Sequence, residues 1–181
     1  MKRRAFLAAI AALLAQTAHA HSPYRQWKVM RQRYLLVHST RTDPRSDELA
    51  EKLVAILQRV LPEASAMVAR VPDGQRVASL LTTNQAVLAV MRQEDARDLF
   101  LARGAFGGYQ GAQLRLLARV EDRVLVTVES FPAHHAWLVA AALVENPEAL
   151  SIRVPDSMQG EVPVHPGAAG FARGEPLEVP R

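Results

Sequence analysis

The run Ala86 to Met91, AVLAVM, is six consecutive apolar residues with β-branched Val87 and Val90 and polar neighbours at both ends. A strand apolar on both faces belongs inside a parallel sheet covered by helices, so this short run argues for an α/β layer. A buried helical turn is the competing reading. Ligands of open α/β sheets settle beyond the carboxyl ends of such strands, which makes Arg92 and Gln93 the first candidates for contact.

The surrounding pattern supports the strand. Tyr34 to His38, YLLVH, reads as a first strand, followed by a polar loop from Ser39 to Pro44. A helix then runs to about Leu61, with Leu49, Leu53, Ile56, Leu57, Val60 and Leu61 recurring at spacings of three and four. Asp43 or Ser46 can cap its start, and Pro62 ends it. Ser65 to Val71 alternates as a second strand, and Asp73 caps a second helix through Leu81. The order β-α-β-α-β by Met91 predicts a doubly wound, mostly parallel sheet flanked by helices.

The loop after the first strand is the chemically pointed one. Ser39, Thr40, Arg41 and Thr42 lie beside a helix start, where free backbone N–H groups and the helix dipole favour an anion. Arg41 can pair directly with a carboxylate or phosphate. A capped helix with a solvated arginine explains the same residues. The loop lacks the glycines of a dinucleotide fingerprint or a P-loop, which excludes both.

Residues 1–20 read as an export signal: Lys2, Arg3 and Arg4 precede an apolar stretch, Ala5 to Ala15, too short to span a bilayer, and Ala18-His19-Ala20 is a cleavage site. Arg3-Arg4 followed by Ala5-Phe6-Leu7 also fits a twin-arginine signal. The expectation is a periplasmic protein beginning at His21 and not membrane-spanning after cleavage. Loss of three basic residues with the leader leaves 19 basic against 18 acidic side chains, so the basic pI does not argue for nucleic acid. The absence of cysteine excludes disulfides, thiolate metal sites and a cysteine nucleophile.

Residues 21–33 form a basic arm with Tyr24 and Trp27 among Arg25, Lys28, Arg31 and Arg33. It either docks on a partner protein or an anionic surface, or drapes over the domain with its charges in water. A mature amino-terminal His21 offers a second chemistry, because its α-amine and imidazole can chelate copper(II) with one further histidine. His38, His134, His135 and His165 are available for that third position.

Downstream, Gln93 to Arg103 reads as a third helix, and Gly104, Gly107, Gly108 and Gly111 then break the chain around Phe106 and Tyr109. Gln113 to Val120 and Val124 to Ser130 are two strands around Glu121-Asp122-Arg123, either a hairpin or successive segments crossing a hinge. A helix from Pro132 to Asn146 follows. Its adjacent His134 and His135 point about 100° apart and do not chelate one metal by themselves.

The stretch Phe131 to Leu150, FPAHHAWLVAAALVENPEAL, followed by Val162 to Ala169, VPVHPGAA, resembles the close of TAXI-type solute-binding subunits of TRAP transporters. Leu80 to Val90 is similar to that family's passage from second helix to third strand. The resemblance implies a type II periplasmic binding fold of two α/β lobes around a hinge, taking up small carboxylates such as glutamate-like acids. This chain passes almost directly from the third strand's connection to the last helix, so the expectation is a single lobe over residues 34–170 and a tail over 171–181. The family's glycine- and tyrosine-rich first loop is also replaced. Only the loop after the first strand and Arg92 carry over as contacts.

No elbow, triad or paired carboxylates mark a catalytic centre, so the chain reads as a binding module rather than an enzyme. The expected partner is a small anionic solute or a periplasmic or membrane protein, with no cofactor. Copper at His21 and a ligand-free interaction subunit are the alternatives.

Overall fold

Six strands form one open mixed sheet in the order β2-β1-β3-β5-β4-β6. They are β1 Leu36–Thr40, β2 Met67–Val71, β3 Leu88–Arg92, β4 Leu114–Val120, β5 Arg123–Val128 and β6 Ile152–Arg153. β1 pairs in parallel with β2 and β3, while β3–β5, β5–β4 and β4–β6 are antiparallel, so β1 to β4 share one direction. The computed structural model describes residues 33–109, 112–155 and 162–178. The export signal, His21 and the basic arm up to residue 32 lie outside the described residues, so those expectations have no structural counterpart here.

The helices are α1 Pro44–Val60, α2 Gly74–Thr82, α3 Gln93–Phe100, α4 Ala133–Glu145 and α5 Pro166–Ala172. From β1 the chain crosses through α1 to β2 on one side. It then returns through α2 past β1 to β3 on the other. Right-handed crossovers in opposite directions put α1 and α2 on opposite faces. α1 packs with α4, and α4 with α5, to make one helical layer; α2 and α3 meet the 3₁₀ turn Gly104–Phe106 on the other. The fold is the doubly wound α/β arrangement read from the sequence.

Local chemistry sets the boundaries. In α1, Leu49, Leu53, Ile56 and Leu57 are fully buried, Pro44 occupies the first turn, and Asp43 caps. The first strand runs two residues further than predicted, because Ser39 and Thr40 continue the ladder opposite Arg70 and Val71 and are buried. Conversely, β3 starts at Leu88 rather than Ala86. Gln85 N and Ala86 N are spent on the Leu80 carbonyl, closing the end of α2.

α3 stops at Phe100, not Arg103, in a Schellman turn: Ala102 has φ 49°, its N–H donates to Leu99 O, and Arg103 N donates to Asp98 O. The strands β4 and β5 form a hairpin with Val120 opposite Arg123, which settles the alternatives left by the sequence. Two residues, Glu121 and Asp122, make the turn.

The HPGA segment has a clear mechanical role. Leu116 N donates to Pro163 O and His165 N to Leu116 O, so this segment runs alongside β4 before α5 begins. His165 is buried and caps α5: its Nδ1 accepts from Gly167 N at 3.2 Å, and its Nε2 lies 2.9 Å from Phe131 O. A carbonyl can only accept, so Nε2 carries the proton and the ring is the neutral Nε2–H tautomer. A Cβ on Gly167 would stand 2.0 Å from Ala133 O, which identifies the glycine with the close approach of α5 to α4. Residues beyond 170 continue this packing, with Phe171 edge-on to Trp137 and Trp137 Nε1 donating to Glu175 O at 2.9 Å.

Candidate functional site

The strand order reverses between β1 and β3, and the carboxyl ends of β1, β2 and β3 lie on the same edge of the sheet. Such a switch point opens a crevice, since the two connections leave it in opposite directions. A cleft of about 490 Å³ occupies this position. Thr40 at the end of β1 and Thr42 in the turn after it line the cleft, with Asp73, Gly74 and Gln75 from the cap and start of α2, and Val90, Met91, Arg92 and Asp95 from β3 and α3. Phe106 adds an aromatic wall, and Asp43, Ser46 and Arg123 complete the lining.

Three of the five predicted ligand contacts, Thr40, Thr42 and Arg92, meet in this cleft, and two do not. Ser39 is buried and donates to Asp47 Oδ1 at 2.7 Å, where Arg70 also reaches that carboxylate. Arg41 is exposed and outside the lining; its backbone N–H donates to Val71 O. Strand alternation separates Ser39 from Thr40, whose side chains leave β1 on opposite faces, whereas Arg41 and Thr42 lie in the turn past its end. Gln93 lies instead at an adjoining surface hollow shared by Arg92, Arg97, Asp98 and Arg123.

The anion expected at the start of α1 is supplied by the chain itself. Asp43 Oδ1 accepts from Ser46 N at 3.4 Å, and Oδ2 accepts from Ser46 Oγ at 2.6 Å. Arg123, which the sequence reading passed over, grips the same carboxylate in a bidentate pair, Nη2–Oδ1 3.0 Å and Nε–Oδ2 3.1 Å. Burial pushes the Asp43 carboxyl up, but the bonds from Arg123 and Ser46 outweigh it and hold its pKa below the ordinary value. Sequence adjacency to a turn was the only available signal for Arg123; its neighbourhood to Asp43, eighty residues earlier, comes from the antiparallel placement of β5 beside β3.

Arg92 and Arg123 are direct partners in the β3–β5 register. Like charges so placed repel, and each is held by acids of its own. Arg92 binds Asp95 through Nε at 3.0 Å and Glu94 through Nη1 at 3.0 Å. With half its side chain exposed, Arg92 is the more displaceable of the two, against 13% for Arg123. Both guanidiniums line the same cleft, each paired with carboxylates of the chain.

No group of three His, Cys, Asp or Glu side chains that could hold a metal occurs among the described residues. Of the histidines suggested as partners for a copper bound at His21, His38 and His165 are buried and hydrogen-bonded, His38 through Nδ1 to Leu88 O. The rings of His134 and His135 pack against each other at 4.0 Å, and His135 packs on Phe131. No helix among the described residues is long and apolar enough to cross a membrane. Comparison with protein-family models, curated proteins and solved structures finds no match to the chain.

Proposed function

We propose that this protein is a periplasmic binding module, a one-lobe relative of TAXI-type solute-binding proteins, that captures a small carboxylate in the switch-point cleft for a transport or other exported system. The observation that carries the reading is the register pairing of Arg92 with Arg123 at the mouth of that cleft. A carboxylate entering the cleft would draw the half-exposed Arg92 guanidinium away from Asp95 and Glu94, beside Arg123, which stays on Asp43, with Thr40 and Thr42 as further polar groups in the lining. The apolar wall of Val90, Met91 and Phe106 supplies the burial that a small organic ligand needs. The cleft is open on its outer side in this lobe alone, so the affinity expected is modest.

Calorimetric titration of the mature protein with a panel of small carboxylic acids, amino acids included, tests the reading. At least one member should bind, and Arg92→Ala should weaken that member tenfold or more. A panel with no binder, or a best binder indifferent to Arg92→Ala, contradicts the proposal.

A further inference from the structure

His165 is the joint that fastens α5 to the rest of the molecule. Its backbone N–H reaches Leu116 O in β4, and both nitrogens of its buried ring are committed: Nε2–H donates to Phe131 O at 2.9 Å, and Nδ1 accepts from Gly167 N at 3.2 Å. A proton added at Nδ1 sets two N–H groups against each other, so the charged ring cannot keep both contacts.

No neighbouring acid is free to balance that charge. Arg115 of β4 repels it, and Glu129, just after β5, is paired with Arg115. On the α4 side, His135 meets His165 only through the Phe131 ring, whose centroid lies 5.9 Å from the first and 6.3 Å from the second. α5 itself carries no ionisable side chain, and Arg173 and Glu175 just past its end pair with each other. A charge buried without a partner is driven out to water wherever the structure can open.

The structure can open here. α5 packs chiefly on α4 and β4, at the end of the described chain, while β1, β2 and β3 pair with one another and with β5. Beyond His165, its anchors are Gly167 against Ala133 and Ala136, Phe171 edge-on to Trp137, and the bond from Trp137 Nε1 to Glu175 O. From these observations we infer that α5 is an acid-opened clasp: protonation of His165 undocks it ahead of the rest of the fold and bares Trp137 and the first turn of α4.

The sign follows from linkage. Burial lowers the pKa of the docked ring from 6.5, so the open form takes the proton first as pH falls. One proton held only by the open form multiplies the opening equilibrium by up to about tenfold for each pH unit below 6.5, until the docked ring titrates as well.

Native-state hydrogen exchange of the mature protein, followed amide by amide at pH 7 and pH 5 and corrected for intrinsic exchange, tests the clasp. The N–H groups of Ala169, Arg173 and Glu175, bonded to His165 O, Ala169 O and Gly170 O, should open at least tenfold more often than the amides of β3. Their opening constant should rise fivefold or more between pH 7 and pH 5. Glutamine can donate to Phe131 O and accept from Gly167 N without titrating, so His165→Gln should remove the rise, whereas His135→Gln should leave it. Equal protection in α5 and β3, an opening constant that ignores pH, or a rise that survives His165→Gln or disappears in His135→Gln overturns the inference. If His165→Gln does not fold, the wild-type comparison and His135→Gln decide between the same outcomes.

Discussion

Arg123, the first residue of β5, closes on Asp43, the N-cap of α1, with two parallel contacts of 3.0 and 3.1 Å. That pair joins the hairpin half of the sheet to the first crossover and fixes one wall of the cleft. The acid serves as cap, counter-ion and hydrogen-bond acceptor for Ser46 at once. Asp43→Ala should therefore destabilise the fold by about 2–3 kcal/mol, of which a lost cap supplies about 1 and the stranded guanidinium the rest. Asp43→Asn keeps the cap and should cost about half as much. Urea unfolding of the two variants separates the contributions.

Gly167 is set by space rather than by backbone angle. Its missing Cβ is what lets α5 lie against the start of α4 at Ala133 and Ala136. Because the obstructing atom is a backbone carbonyl, it cannot swing aside. Gly167→Ala should cost about 3 kcal/mol or more, at the upper end of overpacking effects, and should lower the urea midpoint accordingly.

Three helices end in the same Schellman geometry with different residues in the left-handed position. Asn84 closes α2, Ala102 closes α3 and Gly174 closes α5, with φ of 52°, 49° and 72°. Alanine is the poor choice, since its Cβ crowds the following carbonyl there. Ala102→Gly should stabilise the protein by about 1 kcal/mol, read as a raised midpoint of thermal unfolding.

His165 makes stability depend on pH. Burial pushes its pKa down from 6.5, against the opposing pull of its bond to Phe131 O. The unfolded ring binds its proton first as pH falls, so the stability conferred by the neutral ring is present above 6.5. It is lost as pH falls from there toward the lowered folded-state value. Protonation also destroys the acceptor that caps α5. His135 is shifted the same way, first by burial and then by His134, and adds the same sign. Asp43 contributes in a separate, more acidic window below 3.8. Unfolding free energy should fall between pH 7 and pH 5, and His165→Gln, though less stable, should flatten that slope.

The elements legible in advance were those whose signal is local. The apolar run Ala86 to Met91, the spacing in α1, and Asp73 before α2 each name their own structure from neighbouring residues. Thr40, Thr42 and Arg92 could be placed at the cleft because they follow strands whose type was clear. Ser39 was misplaced because a strand that goes on pairing past His38 turns a loop residue into a buried one. Arg123 was invisible for a different reason. Its role depends on β5 inserting antiparallel beside β3, and no spacing in the chain announces that long-range pairing. Likewise, HPGA was recognisable as a motif, but its purpose lies in Phe131 O and Ala133 O, over thirty residues away.

The central claim is that a small carboxylate sits on Arg92, beside Arg123, in the switch-point cleft. A two-dimensional ¹H–¹⁵N correlation titration of the mature protein with the tightest binder of the small-carboxylate panel tests it most directly, because it reports position as well as binding. Saturable shifts should cluster at Thr40, Thr42, Gly74, Arg92 and Arg123 and vanish in Arg92→Ala, whose exposed side chain costs the fold only about 0.5 kcal/mol. Shifts confined to another face of the molecule, or shifts that persist in Arg92→Ala, would contradict it.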